Sequence, residues 1–107
     1  MSVNKVILLG YVGQDPELSY PEKDRAIARF SLATNERQGT SGVETTEWHR
    51  LICFDRNASF AERYVRKGTR LYVEGKIKYR EYEDKFHVSR RIAEIHVERF
   101  EILGRKE

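Results

Sequence analysis

Apolar and polar residues alternate with period two along most of this 107-residue chain, and only one stretch replaces that pattern with a helical spacing. Such alternation puts successive side chains on opposite faces of a strand. Val3 to Val12 forms a first strand that enters a turn at Gly13-Gln14-Asp15-Pro16. Ala26 to Thr34 is a half-buried second strand, with Ala28, Phe30 and Leu32 on one face and Arg29 and Ser31 opposite. Asn35 to Thr45 is polar and contains Gly39, Thr40, Ser41 and Gly42, the composition of a flexible loop or a long hairpin tip. Thr46 to Phe54 is the third strand. The helical stretch follows: Asn57 can cap it, Phe60, Ala61, Tyr64 and Val65 share a face, and Gly68 stops it after Arg66-Lys67. From Thr69 a long fourth strand places Leu71, Val73, Ile77 and Tyr79 on one side and Tyr72, Lys76, Lys78, Arg80 and Tyr82 on the other, with Gly75 as a kink or bulge. Glu83-Asp84-Lys85 turns the chain into a fifth strand, Phe86 to Leu103, whose register shifts near Glu98-Arg99.

Five strands with one short helix between the third and fourth is the order of the OB-fold, an all-β, partly open Greek-key barrel. The length suits one domain over residues 1–107, with an ordered core to about residue 103 and a short C-terminal end at 104–107. Charged residues make up 35% of the sequence and the mean hydropathy is -0.70, so no stretch has the apolar length of a membrane-spanning helix. The first ten residues lack the charged start, apolar run and cleavage site of a secretory signal, which predicts a cytoplasmic protein. A single cysteine, Cys53, rules out an internal disulfide and any multi-cysteine zinc site. The net charge of +3 favours anionic partners, but many proteins that bind nothing acidic share it, so the distribution of charge must decide.

That distribution is most informative in the third strand. Trp48, Arg50, Ile52 and Phe54 project to one side, and a flat face carrying aromatics and a cation suits unpaired bases and phosphates. Large aromatics usually pack in a core. Here, however, Arg50 lies between them, and burying its charge unpaired would cost several kcal/mol. On the opposite face Leu51 and Cys53 are expected to fill the barrel, with His49 nearer its rim or at a subunit contact. In the fourth strand Lys76, Lys78, Arg80 and Tyr82 interleave cations with an aromatic, which fits either a phosphate backbone or an ordinary solvated edge. The two adjacent features together favour binding of a single strand without strong base preference.

Catalytic and metal chemistry find little support. Gly10-Tyr11-Val12-Gly13 imitates the GxxG loop of KH domains but ends a strand rather than joining helices. His49 and Cys53 share a strand face four residues apart, about 13 Å, too far for one metal ion. His87 and His96 have no obvious third ligand. The sequence contains no GxxxxGK[ST], G-x-S-x-G or H-E-x-x-H, and no cofactor is expected.

Four blocks carry a resemblance to a known family: Val3-Asn4-Lys5-Val6-Ile7-Leu8 leading to Gly13-Gln14-Asp15-Pro16-Glu17; Phe30-Ser31-Leu32-Ala33-Thr34-Asn35-Glu36; Thr46-Glu47-Trp48-His49-Arg50; and Tyr64-Val65-Arg66-Lys67-Gly68 through Leu71-Tyr72-Val73-Glu74-Gly75. In order and spacing they resemble the bacterial single-stranded DNA-binding protein (SSB) family. The resemblance implies a non-enzymatic homotetramer around which single-stranded DNA wraps during replication, recombination and repair. Stacking roles fall on Trp48, Phe54 and Tyr82, the last where the family often has tryptophan. Gln38 occupies a position that can hold another tryptophan, so one stacking site is expected to be lost or weakened. Phosphate roles fall on Lys5, Arg50, Lys76, Lys78 and Arg80, and His49 matches the histidine used at the family's subunit interface, where Tyr72 is also expected.

Many bacterial members continue into a linker and an acidic tip that recruits repair and replication proteins, whereas this sequence ends at Gly104-Arg105-Lys106-Glu107. Either the chain is a shortened form or it is a tail-less variant, as in organelles or on mobile elements. Recruitment through such a tip is therefore doubtful. The alternatives are a dimeric primosomal or other accessory OB-fold protein, and an OB module that binds protein, with Tyr72 and Tyr82 as anchors.

Overall fold

A strand with one apolar face needs a second layer to bury it, and here the sheet supplies that layer by curling round on itself. The computed structural model describes residues 1–105, so the Lys106-Glu107 part of the expected C-terminal end lies outside the described residues. Six strands form: β1 (Val6–Val12), β2 (Glu17–Ser19), β3 (Ile27–Gln38), β4 (Val43–Phe54), β5 (Thr69–Glu83) and β6 (Ser89–Arg105). One helix, α1 (Arg56–Tyr64), joins β4 to β5. β1 pairs with β5 along one edge and, through Tyr11 and Val12, with β3 along the other. β3 pairs with β4, β4 runs parallel to β6 at Leu51 and Ile52, and β6 returns along β5. The ring closes over five strands, as the OB-fold requires. The short β2, absent from the sequence reading, is an extra edge beside the start of β3.

The core is the inner set of the alternating positions: Val12, Ala28, Phe30, Leu32, Leu51, Cys53, Leu71, Val73, Ile95 and Val97. Burial pushes the Cys53 thiol up to about 12, so it stays protonated through neutral pH. Barrel closure also needs a close backbone approach at Gly10, where an added Cβ would come 2.1 Å from the Ala33 carbonyl oxygen. The register shift expected near Glu98-Arg99 is present. Glu74 faces Arg99 while Gly75 faces Val97, leaving Glu98 as the extra residue of a bulge. Asn4, just before β1, extends the ladder with its side chain: its amide donates to the Ile77 carbonyl at 2.8 Å, and its oxygen accepts from the Ile77 N–H at 3.0 Å.

Four local expectations need correction. Asn57 does not cap α1: Asp55, at positive φ (53°), occupies the position before the helix, and the Asn57 amide instead donates to the Val97 and Glu98 carbonyls. Phe60 and Tyr64 are exposed rather than core-facing; Ala58, Ala61 and Val65 are buried instead. Of the two readings of the stretch 35–45, the long hairpin holds, since β3 and β4 run on to a tight turn at Gly39–Ser41. Tyr79 stands exposed because β5 and β6 extend past the barrel as a two-stranded arm, where no core remains for it to enter, and the Arg91 guanidinium lies 4.3 Å from its ring centre. Phe86 to Val88 belongs to the tip of that arm, where one Asp84 carboxylate oxygen accepts from the Phe86 and Val88 amides.

Gly10→Ala should lower stability by about 1–3 kcal/mol, the range for an overpacked site, read as a lower urea midpoint at unchanged slope.

Candidate nucleic-acid interface

The β3–β4 register brings the outward residues of two strands side by side: Ala33 opposite Trp48, Ser31 opposite Arg50 and Arg29 opposite Ile52. Trp48 is 61% exposed, so it is not a core residue. Its ring lies over Gly13, where an added Cβ would come 2.4 Å from a ring carbon and 2.8 Å from the Ser31 hydroxyl. Arg29, Arg50 and Arg80 line a groove of about 250 Å³ with Gln14, Ser31, Ile52, Ile92 and Glu94 among its walls. Three guanidiniums around one carboxylate make this an anion-attracting cleft. Ile52, though on the outward face of β4, is buried in the lining of that groove.

The cations read from sequence occupy different situations. Arg50 and Lys78 have no carboxylate partner among the described residues, which leaves both charges available. Arg80 is committed: its Nε and Nη2 donate to the two oxygens of Glu94 at 3.2 and 3.1 Å, and the Glu94 side chain is only 5% exposed. Lys76 pairs with Glu98 at 3.5 Å. Lys5 binds Glu74 at 3.1 Å, where Tyr72 donates its hydroxyl and the Arg99 guanidinium adds a second cation. Those partners, Tyr72 first and Lys5 next, hold the Glu74 carboxyl below the usual range. Lys5 and Tyr72 thus belong to one ion-pair cluster that joins the residue before β1 to β5 and β6, apart from the Trp48 face.

The remaining rings lie outside the groove lining. Phe54 is half-buried and its ring centre lies 5.2 Å from that of His96. Burial, aided by the Lys78 and Lys76 charges against the pull of Glu94, holds the His96 imidazole below its ordinary value, so it is neutral at pH 7. Tyr82 sits on the arm, 42% exposed, with the Arg80 guanidinium 5.9 Å from its ring centre. His49 lies on the barrel side of β4, half-buried opposite Leu32, with its Nε2 2.9 Å from the Thr34 hydroxyl. Sequence reasoning missed Arg29 and Glu94 as groove residues. Arg29 carried a signal, as it was already placed on the outer face of its strand. The Gly-Gln-Asp-Pro motif also gains physical roles: Gly13 makes room for the indole, Gln14 accepts weakly from Ser31, and Asp15 accepts from the Lys67 amide just past α1.

Gly13→Ala should displace the indole while sparing the barrel, shifting the Trp48 emission maximum with little change in the unfolding midpoint. An unshifted spectrum would mean that the ring does not rest on this glycine.

The sequence profile of the single-strand binding protein family matches residues 3–103. A protein of Bacteroides thetaiotaomicron named single-stranded DNA-binding protein is 47% identical over 111 residues, covering 99% of this chain and 69% of its own length. Proteins of the same name from Neisseria meningitidis serogroups A and B are 40% identical over 108 residues, and this chain spans 62% of their length. The barrel, the outward Trp48 strand and these matches lead to one assignment: the chain belongs to the single-strand binding protein family.

Proposed function

We propose that this chain, acting as one OB-fold domain, binds single-stranded DNA without strong base preference and coats it during replication, recombination and repair. The exposure of Trp48 beside an unpaired Arg50 carries the reading, because a ring open to solvent next to a free cation offers stacking and phosphate contact at one place. Phe54 and Tyr82 add stacking surfaces, Arg50 and Lys78 take phosphates directly, and Arg80 and Lys76 reach them by exchanging a carboxylate partner. The names of the relatives point the same way. No bond is made or broken in this role, and no cofactor is needed.

The proposed assembly is a homotetramer. Ile7 and Leu9 on the outer face of β1 are 59% and 45% exposed beside Tyr72, an apolar strip that a second copy would cover. His49, held by Thr34, is the histidine whose replacement should disturb assembly before DNA contact.

Trp48 is the only tryptophan, so its fluorescence reports one place. Titration with oligo-dT should quench it saturably, less at high salt and far less with a duplex of equal length. Absence of quenching by either would favour the protein-binding alternative. Trp48→Ala should weaken single-strand affinity by about 1–3 kcal/mol with little change in salt dependence. Lys78→Ala should instead flatten the plot of log affinity against log salt by about 0.7, the loss of one phosphate contact.

A further inference from the structure

We propose that the bound strand continues beyond the groove over helix α1, where Phe60 and Tyr64 stack bases and Arg56 and Arg63 take phosphates. This rests on the single-strand reading above and adds a site to it. Spacings of four, seven and eight residues from Arg56 put these four side chains on one helix face, and with Ser59 they border a shared depression. Phe60 is 45% and Tyr64 55% exposed, with ring centres 4.6 Å apart. Phe60 also meets Phe100 edge-on at 5.4 Å, which fixes the pair as a platform.

The charge of this face is one-sided. Glu62 is the only acid in the helix, and it accepts the Tyr20 hydroxyl. Arg56 and Arg63 have no carboxylate partner among the described residues. Burying both guanidiniums against an apolar partner would leave two uncompensated charges, whereas a polyanion neutralises them in place. The platform also adjoins Phe54. Asn57, one residue into the helix, is bonded to the carbonyls of Val97 and Glu98, immediately after His96, whose ring touches Phe54. A strand leaving Phe54 therefore meets α1 next, and its bases find the same combination of ring and cation.

The test compares an oligo-dT of about 8 nucleotides, within the span of one OB-fold, with one of about 35 that can run past it. Arg56→Glu/Arg63→Glu and Phe60→Ala/Tyr64→Ala proteins should bind the short oligomer within twofold of the unaltered protein but the long one about 10-fold more weakly or worse. The arginine pair should also flatten the salt dependence for the long oligomer by about 1.4. Phe60→Ala/Tyr64→Phe, which keeps one ring, should recover part of the loss. Equal weakening at both lengths, no weakening at either, or a change in sedimentation coefficient without DNA would overturn the proposal, the last marking the face as a protein contact. If the unaltered protein failed to bind even the short oligomer, the single-strand reading itself would fall.

Discussion

The twelve-residue register between β3 and β4 is the constraint on which both the core and the groove depend. A slip of one residue would turn Trp48, Arg50 and Phe54 inward and send Leu51 and Cys53 to solvent. Two uncharged, fully buried side chains and a free guanidinium would exchange environments, which no local adjustment could offset. The barrel therefore does more than support the binding face. By accepting only one register, it decides which residues that face contains.

The short motifs of the chain make sense as fixings around that choice. Gly13 clears space under the indole, Asp15 ties the following loop to the amide of Lys67, and Thr46 donates to Asn35 where the hairpin begins to leave the barrel. His49 answers Thr34 across the same pair of strands. None of these contacts contributes much energy alone, since a single hydrogen bond nets about 1 kcal/mol. Their effect is geometric: they surround Trp48 with backbone that cannot drift, while its ring remains open to solvent.

Much of this was readable from alternation. The strand order, the inward set of β3 and β4, the bulge at Glu98 and the outward Trp48–Phe54 row all follow from a period of two plus the cost of burying Arg50. The reading failed where periodicity stops being informative. Phe60 and Tyr64 share helical spacing with Ala61 and Val65, but a nine-residue helix seated over a barrel mouth accepts only its small residues, Ala58 and Ala61 with Val65, so the rings turn out. Tyr79 keeps strict alternation with Leu71 and Val73, yet the arm outruns the core that would have received it. Pairings between distant carboxylates and cations, such as Arg80 with Glu94, leave no trace in strand periodicity at all.

That last pair changes how the groove meets a ligand. Glu94 is, in effect, a resident anion: it occupies Arg80 before any phosphate arrives and remains beside it, ready to take the guanidinium back. On the proposed single-strand reading, an incoming strand would compete with a tethered rival instead of meeting a bare cation. Such competition trims the depth of the bound state but also shortens the path out of it. Under that reading, a surface built this way would favour turnover along a polymer over permanent capture.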